Sequence, residues 1–235
     1  MNDALAPRLR DPRRPLLALA AGSAAAVLAI ALRVTVTGSP RLGFLVWNLF
    51  LAWIPVVAAL ALPLASRARP RFLRRAGTGA VLLVGLAFLP NAPYLVTDGV
   101  HLRGHHHGLW GLFDACVLGA CGLLGVALGA FALRRAVGAL GFSADSRRGR
   151  AIGALGIALS GYGIYLGRTL RLNSWDAFTD PRVLTLRPHL DRGFVAWSLL
   201  ATLLFAIAFR HLPTAGEWLL RYASNRISRE RDSGR

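Results

Sequence analysis

Between charges, the chain runs through six long apolar stretches. Residues 15–32, 42–66, 76–97, 115–133, 151–167 and 193–209 carry no Asp, Glu, Lys or Arg, and hold 18, 25, 22, 19, 17 and 17 residues. A helix that crosses a bilayer needs about 20 mostly apolar residues, within a range of roughly 17–25. Lipid offers no hydrogen bonds to the backbone, so a helix, which satisfies its own, is the default spanning element. Barrel strands would alternate apolar and polar residues, and these runs are continuous. The pattern predicts an all-α integral membrane protein with six transmembrane helices over residues 15–212. A basic segment, 1–14, precedes it, and an Arg-rich tail, 213–235, comes after it. The first run reads as a retained helix: only Leu16 to Leu19 precede its small residues, too short for the apolar region of a signal peptide. In the tail, Trp218, Leu219 and Leu220 fit a short stretch lying on the membrane interface, or equally an unstructured tail near anionic lipid.

Composition supports the membrane reading. Hydrophobic residues make up 54% of the chain and charged residues 17%, against roughly 25% charged in an average soluble domain. Mean hydropathy is +0.48. These values exclude a disordered chain, a collagen-like chain and a disulfide scaffold. Cys116 and Cys121 lie five apart in one run, about 140° round a helix, and cannot pair with each other.

The net charge of +17 would point to nucleic acid in a soluble protein. Here all 28 basic residues are Arg, and their placement carries the information; no nucleic acid partner is expected. Threading six helices alternately puts 20 of the 28 on one side: four at the N-terminus, five after the second run, five (Arg134, Arg135, Arg147, Arg148 and Arg150) after the fourth, and six from Arg210 onward. The other eight include Arg33, Arg168 and Arg171. The excess of Arg on one side predicts that both termini are cytoplasmic, in a multi-pass protein of the cell membrane.

Polar residues gather at the opposite helix ends. Asn48 lies in the outer half of the second run, Asn91 and Asp98 close the third, His101 comes next, Asp114 precedes the fourth, and Arg168, Arg171, Asn173 and Asp176 lie just past the fifth. Ionisable groups at membrane depth are costly and are functional candidates by default. Gly153, Gly156, Ser160, Gly163 and Gly167 form a small-residue face along the fifth run, suited to close helix contact. If that helix continues to Arg171, the guanidinium points into the bundle and requires a partner, with Asp98, Asp114 and Asp176 as the available acids. Pro90 and Pro93 break or kink the end of the third run. Asp98, His101 and His105 have helical spacing for a metal, but Gly99 and Gly104 interrupt it, and neither metal nor cofactor is expected.

The stretches from Trp47 to Pro55, Phe88 to Leu102 and Gly161 to Asp176, with Asp114, resemble the bacterial membrane family catalogued as domain of unknown function 1361. The resemblance spans about residues 42–210, with FLPNAPYLVTD and GRTLRLNSWD its most specific parts. It implies a multi-pass membrane protein and no established activity. His105, His106 and His107 are not part of it.

Three uses of the polar cluster stand. It ties helix ends together, or it binds an anionic group such as a lipid headgroup through Asn48, Asn91, Arg168, Arg171, Asn173 and Asp176. In an enzyme, Asp98, His101 and Asp114 would be the acid–base candidates. A non-catalytic accessory subunit and a small-solute transporter are the alternatives. Membrane lipids are the expected partners; no protein partner is legible.

Overall fold

The computed structural model describes residues 14–67, 69–102, 108–171, 176–180, 182 and 192–212. Asn173, His105 to His107 and the tail with Trp218 to Leu220 lie outside these. The described residues form helices and no strand: α1 (Arg14–Thr37), α2 (Phe44–Ala65), α3 (Arg71–Phe88), α4 (Asn91–Thr97), α5 (Leu109–Ala139), α6 (Arg147–Leu170), α7 (Asp176–Thr179) and α8 (Arg192–His211). A 3-10 turn, Asp98–Leu102, continues α4.

Five segments are long and apolar enough to cross a membrane: Pro15–Thr37, Phe44–Ala65, Arg71–Leu102, Leu109–Ala139 and Arg192–His211. They make this a helical membrane protein. The α6 helix matches them in length but not in apolarity. Five of the 17 uncharged residues there are glycine, which adds backbone length without apolar surface.

Burial is inverted relative to a water-soluble protein. Arg33, Asp98, Asp114 and Arg134 are buried, while Leu28, Val57, Leu123 and Leu199 stand on the outer surface. An apolar exterior is stable in lipid, and charges are stable only where other parts of the chain replace their water. Arg134 therefore does not belong to the loop after the fourth run. It lies within α5 and turns inward.

The α5 helix is the hub. It contacts α1, α2, α4, α6 and α8, and α2 in turn contacts α3 and α4. The third run splits as its prolines predict. The α3 helix ends at Phe88, has no buried residue, and lies along α2. Past Pro90, the short α4 drops between α2, α5 and α8, with Ala92, Pro93, Leu95 and Thr97 buried. Its backbone meets α5 closely at Gly125, where an added Cβ would lie 2.1 Å from the Ala92 carbonyl oxygen.

The small-residue face of α6 makes the close contacts its composition predicts. A Cβ at Gly153 would lie 2.2 Å from the Phe209 ring, one at Gly156 2.9 Å from Leu133, and one at Gly163 2.7 Å from Pro90. The α6 helix is thereby seated against α8, α5 and the break before α4. Cys116 is exposed and Cys121 buried, and both are free thiols.

Because the Ala92 carbonyl is backbone and not a movable side-chain tip, Gly125→Ala should force α4 away from α5. Overpacking of this kind costs roughly 1–3 kcal/mol. Gly119→Ala, on the same helix with nothing within 4 Å of its added Cβ, should be neutral. Melting temperatures of the two variants in detergent check this; equal values would mean that α4 is not pinned there.

Candidate functional site

The site is built where the end of α1, the start of α2, the 3-10 turn, the start of α5 and the end of α6 meet. Two buried ion pairs organise it. In the first, Arg168 of α6 donates from Nη2 to Asp98 Oδ1 and from Nε to Thr97 Oγ1 at 2.6 Å. Asn48 of α2 donates from Nδ2 to the other Asp98 oxygen, at 2.9 Å. Both carboxylate oxygens of Asp98 are thus engaged, and the residue is 1% exposed. The Arg168 guanidinium also lies over the Tyr94 ring, 4.2 Å from its centroid, a cation–π arrangement that strengthens as water is excluded.

Local sequence explains this placement. The α4 helix puts Tyr94 and Thr97 on successive turns, and Thr97 Oγ1 donates to the Tyr94 carbonyl at 2.6 Å. The tighter 3-10 turn then carries Asp98 inward while His101 stays exposed, its ring 4.8 Å from that of Phe44. Asn91, at the head of α4, donates to the Phe88 carbonyl at 3.0 Å. It bridges the Pro90 break and occupies a carbonyl that α3 leaves open at its end.

The second pair joins α1 to α5. Arg33 Nε donates to Asp114 Oδ1 at 2.8 Å and Nη2 to Oδ2 at 3.2 Å, a two-pronged contact between side chains 4% and 2% exposed. Arg33 also donates from Nη1 to Thr37 Oγ1, and its guanidinium stands 5.2 Å from the Trp110 ring centroid.

The structure corrects the expected partnership of Arg171. The α6 helix ends at Leu170, and Arg171 takes the left-handed conformation, φ 55°, at its C-cap. Its side chain is exposed and does not enter the bundle. Two of the acids expected to serve it are committed elsewhere, Asp98 to Arg168 and Asp114 to Arg33. Asp176 heads the short α7, where its carbonyl accepts from the Asp180 N–H at 2.8 Å. The reason for the difference is the cap itself: past it the 100° helical step no longer applies, so a face projected from Gly153 does not reach residue 171.

Arg171 nevertheless stays in the site. A cleft of about 520 Å³ is lined by Tyr94, Val100, His101, Gly167, Arg168, Arg171 and Phe194. It unites three of the sequence candidates, His101, Arg168 and Arg171. Asn48 and Asp98 lie behind it through the Arg168 contact, while Asp114 belongs to the separate Arg33 pair. Asn173 lies outside the described residues. Among those described, no three His, Cys, Asp or Glu side chains converge as a metal site.

Sequence reasoning missed Arg33, Tyr94 and Thr97. Arg33 reads as the end of the first apolar run. The signal lay in the next few residues: Val34 to Thr37 contain no helix breaker before Gly38, so α1 continues another turn and Arg33 lies within it.

Over residues 47–209, well over half of its length, the chain matches the family described as Protein of unknown function (DUF1361). The chain belongs to this family. The matched region of this family member runs from Trp47, just before Asn48, to Phe209, and so contains both the Asp98 cluster and the cleft beside it. No curated protein and no solved structure matches the chain.

The Arg33–Asp114 pair predicts a non-additive mutant series. Asp114→Ala alone should cost roughly 3–5 kcal/mol, because it leaves a buried guanidinium without its counter-charge. Arg33→Leu together with Asp114→Leu should recover most of that loss. Thermal unfolding in detergent reads both; additive losses would mean that each residue acts alone.

Proposed function

We propose that this protein spans the membrane six times, with α6 as the sixth span and both termini cytoplasmic, and that the cleft beside Arg168 is an extracytoplasmic pocket for an anionic group such as a lipid phosphate. The chain then divides into the basic segment 1–14, the membrane domain 15–212 and the cytoplasmic tail 213–235. The Arg asymmetry in the sequence supports the orientation. The seating of α6 by its small-residue face supports its place as a span, because close helix contact offsets its modest apolarity.

The observation that carries the binding reading is the state of Arg171. Arg168 is neutralised by Asp98, so the cleft's unmatched positive charge comes from Arg171; His101 also lines it. Arg171 is also held in a backbone conformation that costs a non-glycine residue roughly 1–2 kcal/mol. Glycine would suit that cap better. A non-glycine residue held in such a conformation points to a role beyond the fold, because strain of this kind clusters at ligand sites. A guanidinium with free donors at a membrane surface is suited to a phosphate or carboxylate. The Arg168–Asp98 pair fixes the wall that Arg168 forms.

Two experiments test this reading. A reporter active only outside the cytoplasm should be silent when fused after Arg235 and active when inserted near Gly104; the reverse pattern refutes the orientation. For the pocket, Arg171→Gly should leave the melting temperature unchanged or slightly higher, since it relieves the left-handed strain. In the same variant, the phosphatidylglycerol component that native mass spectrometry assigns to this pocket should fall roughly tenfold, the size of losing one charge-assisted contact. Unchanged retention would refute the pocket.

A further inference from the structure

A second cleft, of about 480 Å³, lies at the opposite end of the bundle, between the end of α5, the start of α6 and the end of α8. Arg150, Arg210 and His211 form its exposed rim, and Arg134 forms its buried inner wall. Asp145 is the single acid among its described lining residues, so three guanidiniums face one carboxylate.

The arrangement is built, not a chance gathering of surface charge. Arg134 donates from Nη1 to the Phe209 carbonyl, which lies in the last turn of α8, and stacks 5.5 Å from the Phe209 ring centroid. Carbonyls in a last helical turn lack intrahelical partners and form the negative end of the helix dipole, so this contact offsets a charge that would repel an anion. Arg134 Nη2 lies 3.5 Å from the Asp145 carboxylate, and Arg150 donates from Nη1 to the Asp145 backbone carbonyl at 2.5 Å. The turn carrying Asp145 is itself fixed: Ser146 caps α6 by accepting from the Gly149 N–H at 3.0 Å, and Gly149 sits so close to Ser143 that an added Cβ would lie 1.9 Å from its carbonyl oxygen.

Below the rim the wall becomes apolar, with Ala154, Ile157 and Ala206. Ile157 lies seven residues along α6 from Arg150, which is about 10 Å of helix. A cationic rim above a short apolar shaft matches the head of a phospholipid: phosphate against the guanidiniums, first acyl carbons along α6 and α8. A free phosphate would use the rim and leave the shaft without a role.

We propose that this cleft is a second anion site, independent of the Arg171 pocket, that takes the phosphate of an anionic membrane lipid. Arg150 and Arg210 are its contacting donors, and Arg134 holds the wall.

The test uses the full chain with the exposed rim changed, Arg150→Gln with Arg210→Gln, so that the buried Arg134 contacts stay intact. Phosphatidylglycerol added to protein in phosphatidylcholine nanodiscs should raise the melting temperature of the parent chain, and native mass spectrometry should show retained phosphatidylglycerol. In the double variant retention at this site should fall roughly tenfold or more, as two charge-assisted contacts are lost. Arg171→Gly serves as the control and should keep this component. Stabilisation by phosphatidylglycerol and not by inorganic phosphate, reduced in the double variant but kept in Arg171→Gly, supports the lipid site. Stabilisation by inorganic phosphate to the same degree would assign the rim to a soluble anion and overturn the lipid assignment. A folded double variant with undiminished retention overturns the site altogether.

Discussion

An ionised side chain inside a membrane bundle has no water to turn to, and this constraint organises the molecule. Asp98 is tolerated because Arg168 and Asn48 take its two oxygens, and those partners come from helices that are distant in sequence. Asp114 is tolerated because Arg33 meets it with two donors. Each contact joins helices that apolar packing alone would leave free to slide or rotate, since one lipid-like surface slips easily past another. The polar end therefore sets the register of α1 on α5, and of α6 on α2 and α4.

Backbone approach sets the rest. The α4 helix exists because Pro90 interrupts the third run, and it enters the core because Gly125 leaves room for its carbonyls. Without that entry, Thr97 and Asp98 would stay at the periphery and Arg168 would have no counter-charge. The glycines of α6 act in the same way against Phe209, Leu133 and Pro90. The close contacts these glycines allow hold α6 against its neighbours. The chemistry of the polar end thus depends on small residues some distance from it.

The arginines divide into two roles that look alike in sequence. Arg33, Arg134 and Arg168 are structural cations, each occupied by a carboxylate or a helix-end carbonyl. Arg171, Arg150 and Arg210 stand exposed at the mouths of two clefts, one at each end of the bundle. The division follows depth. A guanidinium well inside the bundle must be matched to be tolerated, whereas one at the exposed end of a helix can leave its donors to water.

Hydrophobic run lengths alone determined the approximate limits of the long helices, because a span must be long, continuous and nearly free of charge. They also located the break at Pro90, since proline removes the donor a helix needs there, and the small-residue face of α6, since glycine and serine recur at helical spacing. The polar residues at one set of helix ends were legible for the same reason: they are conspicuous against an apolar background. Their pairing was not. Arg33 and Asp114 are 81 positions apart, and Asp98 and Arg168 are 70 apart. Which acid meets which arginine depends on how each helix is rotated about its axis, and an apolar surface on all sides does not encode rotation. Arg171 shows the same limit. Its sequence continues the face of α6, but the helix ends at Leu170, and the left-handed backbone at Arg171 leaves that side chain exposed instead of on the projected face.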